Sequence, residues 1–220
     1  MLLKKERQQI VEYGIKLIKS GLTTGTGGNI SIYNPEEELM AISPSGIDYF
    51  RTNPEDIVVA KLSGEIADGD RKPSSELNMH RIFYQKRKDI RAVVHTHSTY
   101  STTLATLRWN LPASNYYLAI AGGNNVKCAE YASFGTWDLA EKAYEAMQNR
   151  YACFLANHGL LTGSKDLSNA FSIAEEIERC AETYYRAKSI GEPVLLSDEE
   201  MEFMLEKFPT YGQKTSQILK

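Results

Sequence analysis

The stretch Ala92-Val93-Val94-His95-Thr96-His97-Ser98 constrains what this chain can fold into more than any other. A β-branched run preceded by Asp89 and Arg91 reads as a strand feeding a buried sheet. Side chains alternate faces along a strand, so His95 and His97 point the same way. Two imidazoles side by side can ligate one divalent metal ion, and the chain holds only two other histidines, His80 and His158. His158 follows a second apolar run, Ala152–Asn157, and supplies a third ligand if that run is a neighbouring strand. Three histidines fit a catalytic zinc site with room for a carboxylate, water or substrate. Taken alone, His-Thr-His is more simply a strand whose rings bond backbone carbonyls. The remaining motifs shift that balance.

With 220 residues, a single compact domain over 1–220 is expected, large enough to bury a sound core. A net charge of −3 argues against a nucleic-acid binder dominated by phosphate neutralisation. Cys128, Cys153 and Cys180 are odd in number and lack Cys-x-x-Cys spacing, so they give no disulfide framework and fit a reducing cytosol. The N-terminus Met1-Leu2-Leu3-Lys4-Lys5-Glu6 lacks the apolar core of a signal peptide, and no run reaches membrane-spanning length. A cytoplasmic protein with no membrane or nucleic-acid partner is the expectation.

Residues 4–20 place Ile10, Val11, Ile15, Leu17 and Ile18 among charged neighbours, the pattern of an amphipathic helix ended by Ser20-Gly21. A glycine-rich loop, Thr23–Asn29, leads into a strand at Ile30–Ile32. Further strands are expected at Leu39–Ile42, Ile57–Ala60 and Leu160–Thr162. Helices are expected from Pro73-Ser74-Ser75 to about Arg87, over Thr136–Arg150 with Leu139, Ala143 and Met147 as the buried face, and over Leu167–Ser189. Ser197-Asp198-Glu199-Glu200 is a capping box for a last helix ending near Phe208-Pro209. Strict βαβ alternation is missing. The order predicts one mainly antiparallel or mixed sheet covered by helices.

Three donor-rich spots stand out. The loop Gly25–Asn29 is neither a Walker A loop nor Gly-x-Gly-x-x-Gly, yet its glycines let backbone N–H groups approach an anion, and Asn29 adds a side-chain donor. Ser45-Gly46 is the second. Ser74-Ser75 is the third, at an expected helix N-terminus where free N–H groups and the dipole favour phosphate. A tight connection and simple capping account equally well for each spot alone. Together they suggest an uncharged phosphate cradle. Glu76 follows in the first turn, either an ordinary surface glutamate or a general base beside the metal. His80 shares its helix face and is better read as a core or supporting histidine than as a ligand.

The ordered set Gly25-Thr26-Gly27-Gly28-Asn29-Ile30-Ser31, Ser43-Pro44-Ser45-Gly46, Pro73-Ser74-Ser75-Glu76, His95-Thr96-His97, Ala121-Gly122-Gly123-Asn124 and Asn157-His158-Gly159 resembles the class II aldolase/adducin family nearly end to end. The resemblance is strongest to family members acting on L-fuculose 1-phosphate, also at Tyr131–Thr136 and from Leu196 to Gly212. It implies a three-layer α/β/α sandwich around a mainly antiparallel or mixed central sheet. It also implies a homotetramer with active sites between subunits and one Zn²⁺ per subunit. By that resemblance His95, His97 and His158 hold the zinc, and Glu76 is the acid/base that also approaches it. Gly28, Asn29, Ser45, Gly46, Ser74 and Ser75 hold the substrate phosphate. Tyr116 reaches a neighbouring subunit's site as proton donor, with Tyr117 as the other candidate. Thr26, Phe134 and Tyr211 orient the aldehyde. The implied reaction is reversible cleavage of a sugar phosphate, a ketose 1-phosphate, into dihydroxyacetone phosphate and a short aldehyde, L-lactaldehyde in the family's preferred case.

Two alternatives within the family share the metal and phosphate sites. Its pentulose-phosphate 4-epimerases carry Asp where this chain has Asn115 and Asp where it has Glu76, which counts against epimerisation; a dehydratase is excluded less sharply. A metal-free scaffold like the adducin head would not need the three histidines and Glu76.

Overall fold

The computed structural model describes residues 1–208. Nine strands form one sheet in the order β4-β3-β2-β1-β5-β9-β8-β7-β6. They are β1 (Asn29–Asn34), β2 (Leu39–Ile42), β3 (Val58–Lys61), β4 (Ile66–Asp68), β5 (Ala92–Thr96), β6 (Leu111–Pro112), β7 (Asn125–Ala129), β8 (Ala152–Leu155) and β9 (Gly159–Ser164). Neighbouring strands run antiparallel except β7 and β8, which are parallel. The sheet is therefore mixed and mainly antiparallel, as the sequence leads one to expect.

Helices cover both faces because the central strands β2, β5, β8 and β9 carry apolar residues on both sides. On one face α2 (Leu77–Lys86) and α4 (Trp137–Ala146) bring Met79, Ile82, Phe83, Leu139, Ala143 and Met147 against Met40, Ile42, Val93, Leu155 and Leu161. On the other, α1 (Lys4–Lys19), α3 (Thr99–Thr106), α5 (Leu167–Ile190) and α6 (Asp198–Lys207) bring Ile10, Leu17, Leu104, Phe171, Ile177 and Met201 against Ile30, Val94, Phe154 and Leu160. The neighbours Val93 and Val94, like Phe154 and Leu155, thus serve opposite layers, and the result is a three-layer α/β/α sandwich. No helix among the described residues is long and apolar enough to cross a membrane.

Several elements differ from the sequence reading. The histidine strand stops at Thr96, and His97 lies in the connection to α3, a helix that apolar periodicity does not announce. The second helix opens at Leu77, not at Ser74; the Ser74 hydroxyl instead accepts the Glu76 N–H at 3.2 Å, closing a turn just ahead of the helix. Tyr116–Ala121 is a short 3₁₀ segment. The cap expected at Ser197 holds, its hydroxyl accepting from Glu200 N–H, and Thr136 closes α4 in the same way from Leu139 N–H.

Candidate active site

β5 and the β8–β9 hairpin build the centre of the site. Asn29 of β1 pairs with His95 on one side of β5, and Leu161 of β9 pairs with it on the other. The turn between β8 and β9 carries Asn157, in the left-handed region at φ 55°, and then His158, whose N–H donates to Leu155 O at 3.0 Å. Gly159 makes this approach possible. A Cβ there would sit 2.2 Å from the Thr96 carbonyl oxygen, so any side chain would push β9 off the end of β5.

The three rings meet through one kind of atom. His95 Nε2 lies 2.9 Å from His97 Nε2 and 3.2 Å from His158 Nε2. The Nδ1–H of His95 donates to Leu160 O at 2.9 Å, which leaves its Nε2 as a bare lone pair aimed at its neighbours. Burial first, and then the neighbouring rings, pull the His95 pKa well below its ordinary value; burial and His158 lower that of His97, against the opposing pull of Glu76. Glu76, flanking the N-terminus of α2 and buried, brings Oε2 to 3.2 Å from His95 Nε2 and Oε1 to 3.4 Å from His158 Nε2. Glu76 Oε1 is a buried oxygen without a hydrogen-bond partner. Converging ring nitrogens beside such a carboxylate oxygen are a donor set suited to a divalent cation, and the three histidines could hold one.

A cleft of about 320 Å³ opens onto this centre. The three donor-rich spots, far apart in sequence, converge on its wall: Thr26–Asn29, Ser45-Gly46 and Ser74-Ser75 all line it, with Glu76, His97 and His158. Gly28 (φ 70°) and Gly46 (φ 70°) both turn the backbone through the left-handed region. Phe134, 69 % exposed, and Tyr131, 52 % exposed, stand at the wall with Ala132 and Asn157. Tyr131 and Asn157 are cleft residues to which the sequence reading gave no role, although both fall inside motifs it singled out. The side chain of Asn29 turns away from a purely phosphate-binding role: its Nδ2 donates to Glu76 Oε2 at 2.9 Å and its Oδ1 faces His80 Nε2 at 2.5 Å. Tyr116 does not reach the cleft of its own chain. It is exposed and stacks on Tyr117 with ring centroids 4.6 Å apart. Tyr211 lies outside the described residues.

Residues 8–185 match the sequence profile of the class II aldolase and adducin N-terminal domain. The 5-deoxy-D-ribulose 1-phosphate aldolase of Bacillus thuringiensis serovar kurstaki is 58 % identical, with 97 % of this chain and 100 % of that protein aligned. The L-fuculose phosphate aldolase of Escherichia coli K12 is 40 % identical over 94 % of this chain and 96 % of its own. A solved structure of an L-fuculose 1-phosphate aldolase superposes with a TM-score of 0.91 at 53 % identity, covering 93 % of this chain and 96 % of that one. The chain belongs to the class II aldolase and adducin family. Within it, the chain is a class II aldolase, an aldehyde-lyase.

Proposed function

We propose that this aldolase reversibly cleaves a 1-phosphorylated ketose into dihydroxyacetone phosphate and a short aldehyde, and that its preferred substrate is 5-deoxy-D-ribulose 1-phosphate, which yields acetaldehyde. The observation that carries the reading is the convergence of His95, His97, His158 and Glu76 at one end of a cleft walled by three uncharged donor turns. Zinc, one ion per subunit, is the proposed metal, held by the three histidines. When bound, it supplies Lewis-acid stabilisation of the negative charge that carbon–carbon cleavage leaves on the dihydroxyacetone half.

Backbone N–H groups around Gly28 and Gly46, with Ser45, Ser74 and Ser75, take the phosphate and fix the register of the substrate. In cleavage the C4 hydroxyl gives up its proton, the C3–C4 bond breaks, and Glu76 delivers a proton to C3. In condensation Glu76 removes that same proton, and Tyr116 from a neighbouring subunit protonates the new alkoxide. That Tyr116 is exposed on its own chain supports this assignment. We take the working form to be a cytoplasmic homotetramer of single-domain subunits, with Thr26 and Phe134 beside the aldehyde and Tyr211 completing that side.

The substrates in the two relatives' names differ at one end. At C5, L-fuculose 1-phosphate carries a hydroxyl and a further methyl carbon, where 5-deoxyribulose 1-phosphate ends in a methyl. The greater identity to the deoxyribulose enzyme and the exposed ring of Phe134 at the cleft favour the methyl. The 53 % identity of the fuculose structure keeps the second substrate in view. An apolar wall rejects an added carbon or an added hydroxyl by only about 10²-fold each. Both esters are therefore expected to release dihydroxyacetone phosphate, the deoxyribulose ester with the larger kcat/KM, and a chelator should abolish both reactions. Release is read by a coupled dehydrogenase. A preference for the fuculose ester overturns the substrate assignment alone. Conversion of L-ribulose 5-phosphate without triose release would make the protein an epimerase. No triose from any ester with metal bound overturns the reading.

A further inference from the structure

Beneath Glu76 a column of buried polar side chains runs between β1 and α2. Two residues along a strand advance about 6.7 Å and four along a helix about 6 Å, so the two elements keep step. Asn29, Ser31 and Tyr33 from β1 accordingly interleave with Glu76, His80 and Tyr84 from the start and body of α2. Asn29 Nδ2 is 2.9 Å from Glu76 Oε2, Asn29 Oδ1 is 2.5 Å from His80 Nε2, His80 Nδ1 is 2.6 Å from Ser31 Oγ, and Ser31 Oγ is 2.5 Å from Tyr84 Oη. The Tyr33 and Tyr84 rings stack at 5.3 Å, closing the far end. Ser31 and His80 are wholly buried, and neither they nor Tyr84 line the cleft.

Donor and acceptor inventory gives this chain one direction. An ionised Glu76 only accepts, so Asn29 must present its NH₂ to it and its carbonyl to His80. The carbonyl only accepts, so His80 carries its proton on Nε2. Burial pushes the His80 pKa down to about 3, and among the described residues no carboxylate is hydrogen-bonded to the ring, which leaves it neutral with a bare Nδ1. Ser31 therefore donates to Nδ1 and accepts from the Tyr84 hydroxyl. Each link admits only one orientation of the next, and the last holds Glu76 Oε2 while Oε1 is left without a partner.

We propose that His80, backed by Ser31 and Tyr84, is a positioning residue for the proton-carrying glutamate: it fixes the Asn29 carboxamide so that its N–H holds Glu76 Oε2 and leaves Oε1 for the reacting centre. The proposal rests on the reading of Glu76 as the acid/base. Without His80 the carboxamide is free to flip and set its carbonyl against the carboxylate. Only one N–H of Asn29 is used, so the second remains available to a substrate phosphate.

The test combines kinetics with the ring itself. Lost support behind a reacting or metal-binding group typically costs about 10–100-fold. His80→Phe is therefore expected to lower kcat by that range, with metal content unchanged and KM within about twofold, because Ser45, Ser74, Ser75 and the backbone around Gly28 and Gly46 still line the phosphate side of the cleft. His80→Gln, which restores a donor and an acceptor, should recover most of the loss. Tyr84→Phe should lower kcat severalfold. In wild-type protein labelled with ¹⁵N-histidine, the His80 ring should show a protonated Nε2 and a bare Nδ1, with and without metal. An unchanged kcat in His80→Phe, or a rise in KM alone, overturns the proposal, as does a ring protonated on Nδ1. Should His80→Phe fail to fold, an unaltered kcat in Tyr84→Phe together with a ring protonated on Nδ1 decides against it. If wild-type enzyme cleaves no ketose phosphate, the aldolase reading fails, and the ring tautomer still decides the relay.

Discussion

Glu76 is where the chemistry of single residues can be separated. Its carboxylate lies within 3.2 and 3.4 Å of two of the imidazoles, while the three imidazoles could hold a cation without it. Glu76→Gln keeps the size and hydrogen-bonding reach of the side chain but cannot carry the proton. Turnover should fall by about 10²–10⁴-fold, the usual weight of a positioned acid/base, while metal content stays at the wild-type level. Normal dihydroxyacetone phosphate release from that variant would remove Glu76 from the mechanism. The residues of the site divide by how they could be read. His95 and His97 were legible as a pair from strand alternation, although the strand ends at Thr96 and His97 reaches the site from the connection that follows, and Glu76 with His80 from the spacing of one helix turn, although Glu76 stands just ahead of the helix. The bond from Asn29 to Glu76 was not legible: it depends on β1 lying beside α2, a tertiary fact that neither segment announces. The destination of Tyr116 was hidden for a related reason, since nothing in Tyr116-Tyr117 says which chain's cleft the ring serves.

Among the elements, the β8–β9 hairpin does most to set the site, and its glycine makes that testable. A Cβ at Gly159 would fall 2.2 Å from Thr96 O and 3.2 Å from His97 Cδ2, backbone and a packed imidazole, neither able to give way. At Gly163 in the same strand a Cβ would meet only the side chains of Met147 and Ile90 at 3.0 and 3.1 Å. Gly159→Ala should therefore destabilise by about 1–3 kcal/mol and weaken metal binding, because His158 moves with the hairpin. Gly163→Ala should cost less and leave metal binding intact. Thermal melts with a metal titration check both, and wild-type metal affinity in Gly159→Ala would show that close strand approach does not set the triad. Apolar periodicity made α4 readable and cap chemistry α6, and in both a side chain, Thr136 or Ser197, closes the N-terminus. The helix α3 was unreadable because Thr99–Thr106 is rich in β-branched residues of modest helix propensity. Its N-terminus is closed from outside by Glu178 of α5, which accepts from the N–H groups of Tyr100 and Ser101 at 2.7 and 2.8 Å. β7 was missed for want of a local signal too, as its partner β8 is parallel and reached only through α4.

At the scale of the whole molecule, a sandwich that buries neutral histidines at its centre should be acid-labile. His80 has a folded pKa of about 3, and His95 and His97 also lie below the ordinary value, burial being the leading cause in all three. The unfolded chain takes up protons on these rings near the ordinary histidine value of about 6.5, while the folded chain does not. Stability is therefore fully present above about pH 6.5 and is lost as pH falls toward the folded values, by about 1.4 kcal/mol per pH unit for each such ring. Asp56, Asp68 and Asp89, held below the carboxylate range by hydrogen bonds from Asn53 N–H, Leu2 N–H and Arg87 respectively, act in the same direction in a lower window, below about pH 4. Urea midpoints of chelator-treated protein should thus be flat from pH 8 to 7 and fall between pH 6 and 5. His80→Gln removes one of the protons taken up on unfolding, so its midpoint should fall less steeply over that interval even if it starts lower. Bound metal keeps the triad neutral and should shift the acid transition downward in pH. Equal slopes for wild type and His80→Gln would mean that the ring is already protonated in the folded protein and would overturn the bare Nδ1 from which the directions of the Ser31 and Tyr84 bonds follow.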